Sequence, residues 1–516
     1  MSFAAPRDVL HHVIDNARRD ARHVALKDAD SEMTYEQLVA SVTCARAALV
    51  ARGVTPGDRV VLLLQNSIEF VIGALASLWI GAIFVPLDAT DPPSRLAALL
   101  HDCQPRAVVS NGLVDVARLP QDFDRSIFVS VPELLVEATA TVPALPIGER
   151  PSYIIYTSGT TGTPKGVTVG SSAFEAAVSS SCAALQLDAT TRTLSVSPFH
   201  FDGSFGTLFT TLASGGTLVI RPRESLLFPR VFFNTVISES VTYTGFSPSY
   251  LRSLESDPQF ASLASSNLRV IALGGEACSV GDVVRLWSVA PQIRVFNRYG
   301  PTETVIAATH FELTPAIVNR GVIPIGKPHR GVEFDLVDDE GRLINEAETT
   351  GELYIGGRQL MDGYWNSVEL TSEVLRDDFV PGRRLYRTGD AVYVDSDGNY
   401  VYVDRMDRVL KRRGVRISLL EIADAFRRMN RVSAATCIAF NHGDALGIAV
   451  FVVTDSDISR NDLYLQSRDA LPASLIPDRI EIVAAIPVTA SGKTDDTSLL
   501  TNASLTPLRR TPHIEV

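Results

Sequence analysis

The 516-residue chain has few cysteines and no long apolar run, and both absences narrow its possible classes. The five cysteines, Cys44, Cys103, Cys182, Cys278 and Cys437, show no CxxC spacing. Because an odd number leaves at least one thiol free, neither a disulfide framework nor a zinc site is predicted. The N-terminus has no apolar core behind a basic start, and no segment has about eighteen uninterrupted apolar residues. We therefore expect a cytoplasmic protein with no membrane partner.

An excess of positive charge is also missing. The formal net charge is −12 and the sequence pI is about 5.3, which argues against nucleic acid as a main partner. The densest basic segment spans residues 405–416, and its structural interpretation is a solvated charged turn. A chain of this length is too long for one compact core, so two or more domains are expected.

Short apolar runs alternate with helical periodicity over roughly the first 300 residues. Helices are predicted at residues 9–25 and 70–80. Another helix is predicted to begin after Thr34, which would cap it together with Gln37 three residues later. Strands are predicted at residues 60–64, 83–88, 106–110, 126–129, 193–196, 217–220, 241–244 and 270–273. Continuous apolar strands between helices indicate parallel sheets covered on both faces.

The pattern of apolar runs, turn residues and charges changes twice further along the chain. After about residue 330, short strands and Gly/Asp turns predict a small antiparallel β unit. After about residue 404, a basic stretch precedes a predicted helix at 419–429 and strands at 434–440 and 446–453. The predicted fold is α/β: a large N-terminal lobe of two covered β-sheets plus a small β-barrel-like unit, then a small α+β C-terminal domain. The predicted boundaries are 1–404 for the large lobe, 405–407 for a hinge and 408–516 for a mobile small domain.

The most informative motif is the segment at 156–167, which reads Tyr-Thr-Ser-Gly-Thr-Thr-Gly-Thr-Pro-Lys-Gly-Val. Gly159 and Gly162 let successive N–H groups point into one concavity, hydroxyls add donors, and Lys165 supplies the countercharge that a phosphate needs. The alternative is a flexible surface loop. The segment does not fit the Walker A pattern, because Lys165 is followed by Gly166 rather than by Ser or Thr.

Four more segments, at residues 296–303, 386–390, 404–407 and 490–493, place aromatic, carboxylate and lysine residues in a fixed order after this loop. Together with the loop they resemble the core motifs of the adenylate-forming superfamily. That superfamily includes acyl-CoA ligases, luciferases and the adenylation domains of nonribosomal peptide synthetases. The resemblance covers nearly the whole chain, and the amino-acid-activating type fits best.

The resemblance implies ATP and Mg²⁺ as cofactors. Glu303 would hold Mg²⁺, which prefers carboxylate and phosphate oxygens. Lys493 would be the catalytic residue that bridges the substrate carboxylate and the α-phosphate. The residues implied in ATP or AMP binding are Thr157, Ser158, Gly159, Thr160, Thr161, Lys165, Gly275, Glu276, Tyr299, Gly300, Thr302, Asp390 and Arg405. Each has a structural alternative: Tyr299 as a core aromatic, the carboxylates as salt-bridge partners, and Lys493 as a solvated charge.

Similar proteins perform a second half-reaction, in which the small domain turns about a hinge and the acyl group passes to a thiol. Asp407 matches the hinge position. The implied partner is a separate carrier protein with a phosphopantetheine arm. The sequence departs from the family pattern at Asp404, Val409 and Arg412, which puts in question how the carrier docks.

The segment at 201–204 resembles the one whose aspartate pairs with the substrate ammonium, so Asp202 favours an amino acid over a fatty or aryl acid. The alternative is an aspartate that caps the following helix. The implied substrate pocket consists of Phe201, Asp202, Gly203, Gly206, Gly245, Ala272, Gly274, Arg298, Ile306 and Ala307. An inward Arg298 predicts an amino acid with an acidic or strongly hydrogen-bond-accepting side chain, including a β-amino acid. It could instead turn outward to a protein carboxylate.

The resulting expectation is a free-standing enzyme, a monomer or dimer, that forms aminoacyl-AMP in secondary-metabolite biosynthesis. An acyl-CoA ligase is the alternative enzyme, with His200 as the residue that favours it. A degenerate homologue that only binds nucleotide is disfavoured, because Lys165, Glu303, Asp390 and Lys493 are all present.

Overall fold

The computed structural model describes residues 8–112, 124–136, 145, 148–157, 164–276, 278, 280–320, 322–338, 340–406, 409–412, 415–442, 445–454, 458–487 and 495–507. Its α-helices are α1 (Val9–Arg19), α2 (Tyr35–Ala51), α3 (Ile68–Ile80), α4 (Pro93–Cys103), α5 (Val131–Leu134), α6 (Ser171–Leu185), α7 (Phe205–Ser214), α8 (Arg223–Leu226), α9 (Pro229–Ser238), α10 (Pro248–Glu255), α11 (Val280–Val289), α12 (Pro315–Val318), α13 (Val368–Val374), α14 (Leu419–Arg427), α15 (Arg460–Ala470) and α16 (Asp496–Asn502).

Two large sheets form the first part of the chain. Their strands are β1 (Val24–Lys27), β2 (Glu32–Thr34), β3 (Arg59–Leu63), β4 (Ile83–Pro86), β5 (Ala107–Ser110), β6 (Phe128–Ser130), β7 (Pro151–Thr157), β8 (Lys165–Gly170), β9 (Arg192–Ser195), β10 (Thr217–Val219), β11 (Tyr243–Phe246), β12 (Val270–Gly274), β13 (Arg294–Tyr299) and β14 (Thr309–Glu312). The eight-stranded sheet has the order β14-β13-β12-β11-β9-β10-β1-β2, and only its two edge strands are antiparallel to their neighbours. The seven-stranded sheet has the order β18-β8-β7-β4-β3-β5-β6, where β18 is Gly363–Tyr364.

The remaining strands form an antiparallel unit and the C-terminal sheets. They are β15 (Val332–Val337), β16 (Leu343–Ile344), β17 (Gly351–Gly357), β19 (Leu375–Val380), β20 (Arg383–Val394), β21 (Tyr400–Arg405), β22 (Val409–Arg412), β23 (Val415–Ser418), β24 (Val432–His442), β25 (Ala445–Thr454), β26 (Arg479–Ile482) and β27 (Thr506–Pro507). Strands β15, β16, β17, β19, β20 and β21 make a six-stranded sheet whose register shifts in three pairings, and such shifts increase local bending. The predicted fold class is confirmed.

Apolar side chains fill the space between these layers. One core cluster extends from Val9 to Tyr386 and includes buried side chains of both large sheets. A separate cluster contains only residues between Ile417 and Ile480. No helix among the described residues is both long enough and apolar enough to span a bilayer. All five cysteines are free thiols.

Local sequence signals account for several of these elements. Thr34 accepts from the Gln37 backbone N–H while the Gln37 side chain accepts from the Thr34 N–H, so the predicted cap of α2 is present. The predicted helix at 9–25 is too long, because α1 ends at Arg19. The apolar residues that follow form β1, where Leu26 pairs with Leu218 of β10. Sheet pairing therefore overrides the helical spacing after residue 19.

The glycine-rich motif lies between β7 and β8. Phosphate loops in parallel sheets commonly join a strand to a helix. Here β7 and β8 are antiparallel neighbours, and Thr157 pairs with Lys165. The motif therefore connects two antiparallel strands, and Thr157 lies at the carboxyl end of its strand.

Candidate active site

Lys165 lies at the start of β8, opposite Thr157. Its Nζ atom is 5.1 Å from the centroid of the Tyr364 ring, which is within the range of a cation–π contact. Tyr364 belongs to β18, whose pairing with β8 brings it to this site from about 200 residues along the chain. Ser158, Gly159, Thr160 and Thr161 were predicted to bind phosphate and lie outside the described residues.

Glu303 lies in a short 3₁₀ helix, Thr302–Thr304, directly after β13. It is only 1% exposed, and its Oε1 accepts a 2.8 Å hydrogen bond from the Tyr364 hydroxyl. Tyr364 thus joins the two predicted phosphate and metal residues: its ring face contacts Lys165, and its hydroxyl contacts Glu303. Thr302, beside Glu303, is half-buried. The sequence analysis assigns no role to Tyr364 and misses this bridging contact.

The Glu303 carboxylate suits a metal ion that is bound together with substrate phosphates. No group of three or more His, Cys, Asp or Glu side chains that could hold a metal ion occurs among the described residues. Magnesium is usually bound in proteins by one or two carboxylates together with waters and substrate phosphates. A single buried carboxylate at Glu303, close to a predicted phosphate loop, fits that pattern and does not fit an all-protein metal cage.

Tyr299 and Asp390 contact each other directly. The Tyr299 hydroxyl donates a 2.5 Å hydrogen bond to Asp390 Oδ2, and both residues are buried. Burial and the neighbouring Asp390 carboxylate raise the pKa of Tyr299 well above its ordinary value, so this tyrosine remains the donor. In the register of the six-stranded sheet, the backbone of Arg405 pairs with Asp390.

Gly300 allows a close backbone approach next to Tyr299. A Cβ at position 300 would lie 2.7 Å from Ala307 Cα, which no ordinary side chain tolerates. Gly275 follows β12 with a φ of +85°, a left-handed conformation that favours glycine. Glu276 follows it, and its Oε2 lies 3.7 Å from Arg252 Nη2 in an ion pair.

Asp202 lies in the 3₁₀ helix Asp202–Ser204 that leads into α7. Asp202 is half-buried. Burial raises the pKa of Tyr153 well above its ordinary value, and the nearby Asp202 carboxylate raises it further. The Tyr153 hydroxyl is buried and has no hydrogen-bond partner within the described parts of the chain. Phe201 packs against His200, with ring centroids 4.3 Å apart. His200 in turn lies 3.5 Å from Asp88 Oδ2.

Arg298 turns inward. It is 8% exposed, and its Nη1 donates to the Gly203 carbonyl at 3.3 Å. A Cβ at Gly206 would lie 2.6 Å from Arg298 Nη1, and one at Gly274 would lie 2.9 Å from Arg298 Nε. The guanidinium therefore occupies space that glycine leaves open on two different elements. Across the part of the chain that the structure describes, Arg298 forms no ion pair with a carboxylate.

The other predicted pocket residues surround the same space. Ile306 Cγ2 would lie 3.0 Å from a Cβ at Gly206, and Val305 and Ile306 have φ angles of +59° and +67°. Gly245 pairs with Ala272 in adjacent strands, and the nearest side-chain atom to a Cβ at Gly245 would be Thr207 Cγ2 at 3.2 Å. β-Branched residues rarely adopt positive φ, so the turn at 305–307 is held by its surroundings. Ala307 is fully buried within it.

Three polar residues that sequence reasoning missed adjoin this turn: His310, His329 and Gln359. Gln359 Nε2 donates to the Ala307 carbonyl at 2.7 Å, and His329 and His310 continue the chain of contacts towards Arg298. No local motif marks these residues, since they come from three separate segments. Lys493 and Asp407, predicted as the catalytic and hinge residues, lie outside the described residues.

Comparison with known proteins agrees with this arrangement. A family profile described as "AMP-binding enzyme" matches residues 13–365. Tyrocidine synthase 3 from Brevibacillus parabrevis is 31% identical over 506 residues, covering 97% of this chain and 8% of that protein. The chain spans about a tenth of the length of the curated relatives it matches.

Solved structures of adenylation and amide-bond-forming proteins have a similar fold. The holo form of PA1221, an NRPS protein containing adenylation and PCP domains bound to a vinylsulfonamide inhibitor, superposes with a TM-score of 0.85 and 26% identity, covering 97% of this chain and 85% of that one. The amide bond synthetase McbA from Marinactinospora thermotolerans superposes with a TM-score of 0.83 and 25% identity, covering 96% of this chain and 99% of that one.

The fold, the profile match and the arrangement of the half-buried Lys165 with the buried Glu303, Tyr364, Tyr299 and Asp390 define an enzyme of the AMP-binding class. The chain belongs to the family of AMP-binding enzymes. Its curated relatives include tyrocidine and gramicidin S synthases, and the solved structures that it resembles include an NRPS protein containing an adenylation domain.

Proposed function

We propose that this chain activates the carboxylate of an amino acid as aminoacyl-AMP and then transfers the aminoacyl group to the phosphopantetheine thiol of a separate carrier protein. In the first step a carboxylate oxygen attacks the α-phosphorus of ATP, and pyrophosphate leaves. In the second step the thiol sulfur attacks the activated carbonyl carbon, and AMP leaves. Two anions must meet in the first step, so cationic and donor groups are needed.

The observation that carries the substrate proposal is the buried Arg298 guanidinium. Removing an ion from water is costly unless a partner of opposite charge compensates for it. The partner that Arg298 has is the Gly203 carbonyl, and no described carboxylate pairs with it. A carboxylate or strong acceptor on the substrate side chain would supply the missing bidentate contact. The proposed substrate is therefore an acidic or acceptor-bearing amino acid, including a β-amino acid.

Asp202 supports an amino acid rather than a simple acid. Asp202 lies in the 3₁₀ helix that precedes α7, and the Gly203 carbonyl of the same 3₁₀ helix contacts Arg298. An aspartate and an arginine beside one pocket provide complementary charges for an ammonium group and a side-chain carboxylate. The absence of a Cβ at Gly206 and Gly274 allows the Arg298 guanidinium to lie beside this segment.

The contacts of Tyr364, Tyr299 and Asp390 support the nucleotide-binding side of the proposal. Lys165 would pair with the β and γ phosphates, Tyr299 would pack on adenine, and Asp390 would accept from ribose hydroxyls. Glu303 would hold Mg²⁺, which neutralises phosphate charge when it is bound. Tyr364 orients both Lys165 and Glu303, and Tyr299 fixes one oxygen of Asp390.

We assign Lys493 as the catalytic lysine and Asp407 as the hinge between a large lobe, 1–404, and a small domain, 408–516. The separate apolar cluster between Ile417 and Ile480 supports a C-terminal unit with its own core. Rotation of that unit would exchange the groups that serve adenylation for those that serve thiol transfer.

Two measurements test this function. ATP–pyrophosphate exchange across a panel of amino acids should show activity with acidic members, and Lys493→Ala should reduce that activity by roughly a hundredfold or more. Mass spectrometry of the thioester product should find the aminoacyl group on a phosphopantetheinylated carrier protein. A product on free coenzyme A would instead favour an acyl-CoA ligase, and undiminished exchange by Lys493→Ala would contradict the catalytic assignment.

A further inference from the structure

Two histidines beside the pocket are hydrogen-bonded ring to ring. His310 Nδ1 lies 2.9 Å from His329 Nε2, the ring planes differ by 9°, and the centroids are 5.1 Å apart. Such a short nitrogen–nitrogen distance between nearly parallel planes indicates an edge-to-edge hydrogen bond. One nitrogen must donate and the other must accept.

Gln359 determines the direction of that hydrogen bond. Its Nε2 lies 2.7 Å from the Ala307 carbonyl and 3.4 Å from that of Val305, and both carbonyls only accept. Its Oε1 therefore accepts from His329 Nδ1 at 3.2 Å. A neutral His329 then accepts at Nε2, so His310 Nδ1 carries the donated proton and His310 Nε2 keeps a lone pair.

The environment keeps both rings neutral. Burial lowers the pKa of His310 well below its ordinary value, and the neighbouring His329 and Arg298 lower it further. Burial also lowers the pKa of His329, although Gln359 opposes this effect. Both histidines are therefore neutral and carry their proton on Nδ1, as the Gln359 contacts indicate.

The relay of Gln359, His329 and His310 connects two walls of the pocket. At one end, Gln359 binds the strained Val305–Ala307 turn, whose Ile306 side chain borders Gly206. At the other end, His310 is the cross-strand partner of Arg298, so both side chains project from the same face of the sheet. His310 Nε2 is buried and has no hydrogen-bond partner in the described part of the chain.

We propose that His310 is a positioning residue for substrate selection, which holds the Arg298 guanidinium and the Val305–Ala307 turn in register with each other. A neutral ring at this position supports Arg298 without adding a second cation beside it. This proposal rests on the proposed function, because it concerns the pocket that selects the amino acid. It predicts that His310 affects substrate affinity through Arg298 and leaves the chemical step largely unchanged.

The test combines substitutions of His310 with Arg298→Leu in a double-mutant cycle, measured by ATP–pyrophosphate exchange with an acidic amino acid. His310→Phe should raise the amino acid KM roughly tenfold with kcat nearly unchanged. His310→Asn should remain within about threefold of the wild type, because its amide can replace the Nδ1–H donor to His329. In the Arg298→Leu background, His310→Phe should add no further effect.

His329→Leu breaks the same relay at a second point and should reproduce the KM increase if the Phe variant does not fold. An unchanged KM for both relay-breaking variants, or an equal increase in the Arg298→Leu background, would overturn the proposal. So would a loss in His310→Asn as large as that in His310→Phe. If the wild-type enzyme exchanges pyrophosphate only with neutral amino acids, the proposed function fails first, and that outcome is visible before any relay variant is measured.

Discussion

The Arg298 guanidinium lies against the backbone of Gly206, so that a Cβ at residue 206 would be only 2.6 Å from Arg298 Nη1. Neither Gly206 nor Gly203 has a positive φ, so an alanine at either position strains no backbone. The effect of alanine at 206 should therefore fall on the position of the guanidinium rather than on the helix.

Gly206→Ala should lower kcat/KM for the amino acid by roughly ten- to a hundredfold, since a misplaced binding group costs about that much. The unfolding temperature should change little. Gly203→Ala is the matched control, because its Cβ would lie at an ordinary 3.5 Å from Arg298 Nη2. Equal losses in the two variants, measured by pyrophosphate exchange, would contradict the role of the guanidinium.

Tyr299→Phe should weaken ATP binding and destabilise the fold. The variant keeps the ring but leaves the buried Asp390 carboxylate without its 2.5 Å donor, which costs about 1–3 kcal/mol. The ATP KM should rise several-fold, and urea unfolding should shift to lower concentration. Tyr400→Phe removes a hydroxyl that donates to the Phe334 carbonyl and should leave the ATP KM unchanged.

Tyr364→Phe and Tyr364→Leu should separate two functions of one side chain. The Phe variant loses the hydrogen bond to Glu303 but keeps the ring under Lys165, so more Mg²⁺ should be needed for half-maximal exchange. The Leu variant loses both contacts, so the ATP KM should rise as well. Identical kinetics of the two variants would show that the ring contact with Lys165 has no effect on ATP binding.

Stability should fall in mild acid because of His310 and His329. Both have pKa values below the ordinary 6.5, so below pH 6.5 the unfolded chain binds protons that the folded chain does not. The contribution of these two histidines to the free energy of unfolding is therefore greatest above pH 6.5. It decreases as the pH falls from 6.5 towards their pKa values in the folded protein. Urea unfolding at pH 7.5 and pH 5.5 checks this, and His329→Gln should reduce the difference. A difference that His329→Gln leaves unchanged would assign the pH dependence to other groups.

The layers of the fold could be predicted because they depend on local signals. Apolar runs such as residues 60–64 and 270–273 coincide with strands to within one or two residues, and the Thr34 cap follows from two side chains three residues apart. The end of α1 could not be predicted in this way, since the apolar residues after Arg19 join a strand about 190 residues later in the chain. Long-range pairing decides such cases.

The site shows the same division. The glycine-rich motif and Glu303 could be found from sequence, because their chemistry is carried by contiguous residues. The bridging contacts of Tyr364 and the relay of Gln359, His329 and His310 depend on strand pairing and on the strained Val305–Ala307 turn. The inward direction of Arg298 was one of two alternatives in the sequence, and the open space at Gly206 and Gly274 accounts for it.

The most direct test of the central claim compares wild-type enzyme with Arg298→Leu in ATP–pyrophosphate exchange, using aspartate, glutamate, β-amino acid isomers and leucine. The wild type should prefer an acidic substrate, and Arg298→Leu should lose that substrate by on the order of a hundredfold while gaining activity with leucine. A wild-type preference for leucine, or an acidic preference that persists in Arg298→Leu, would contradict the account.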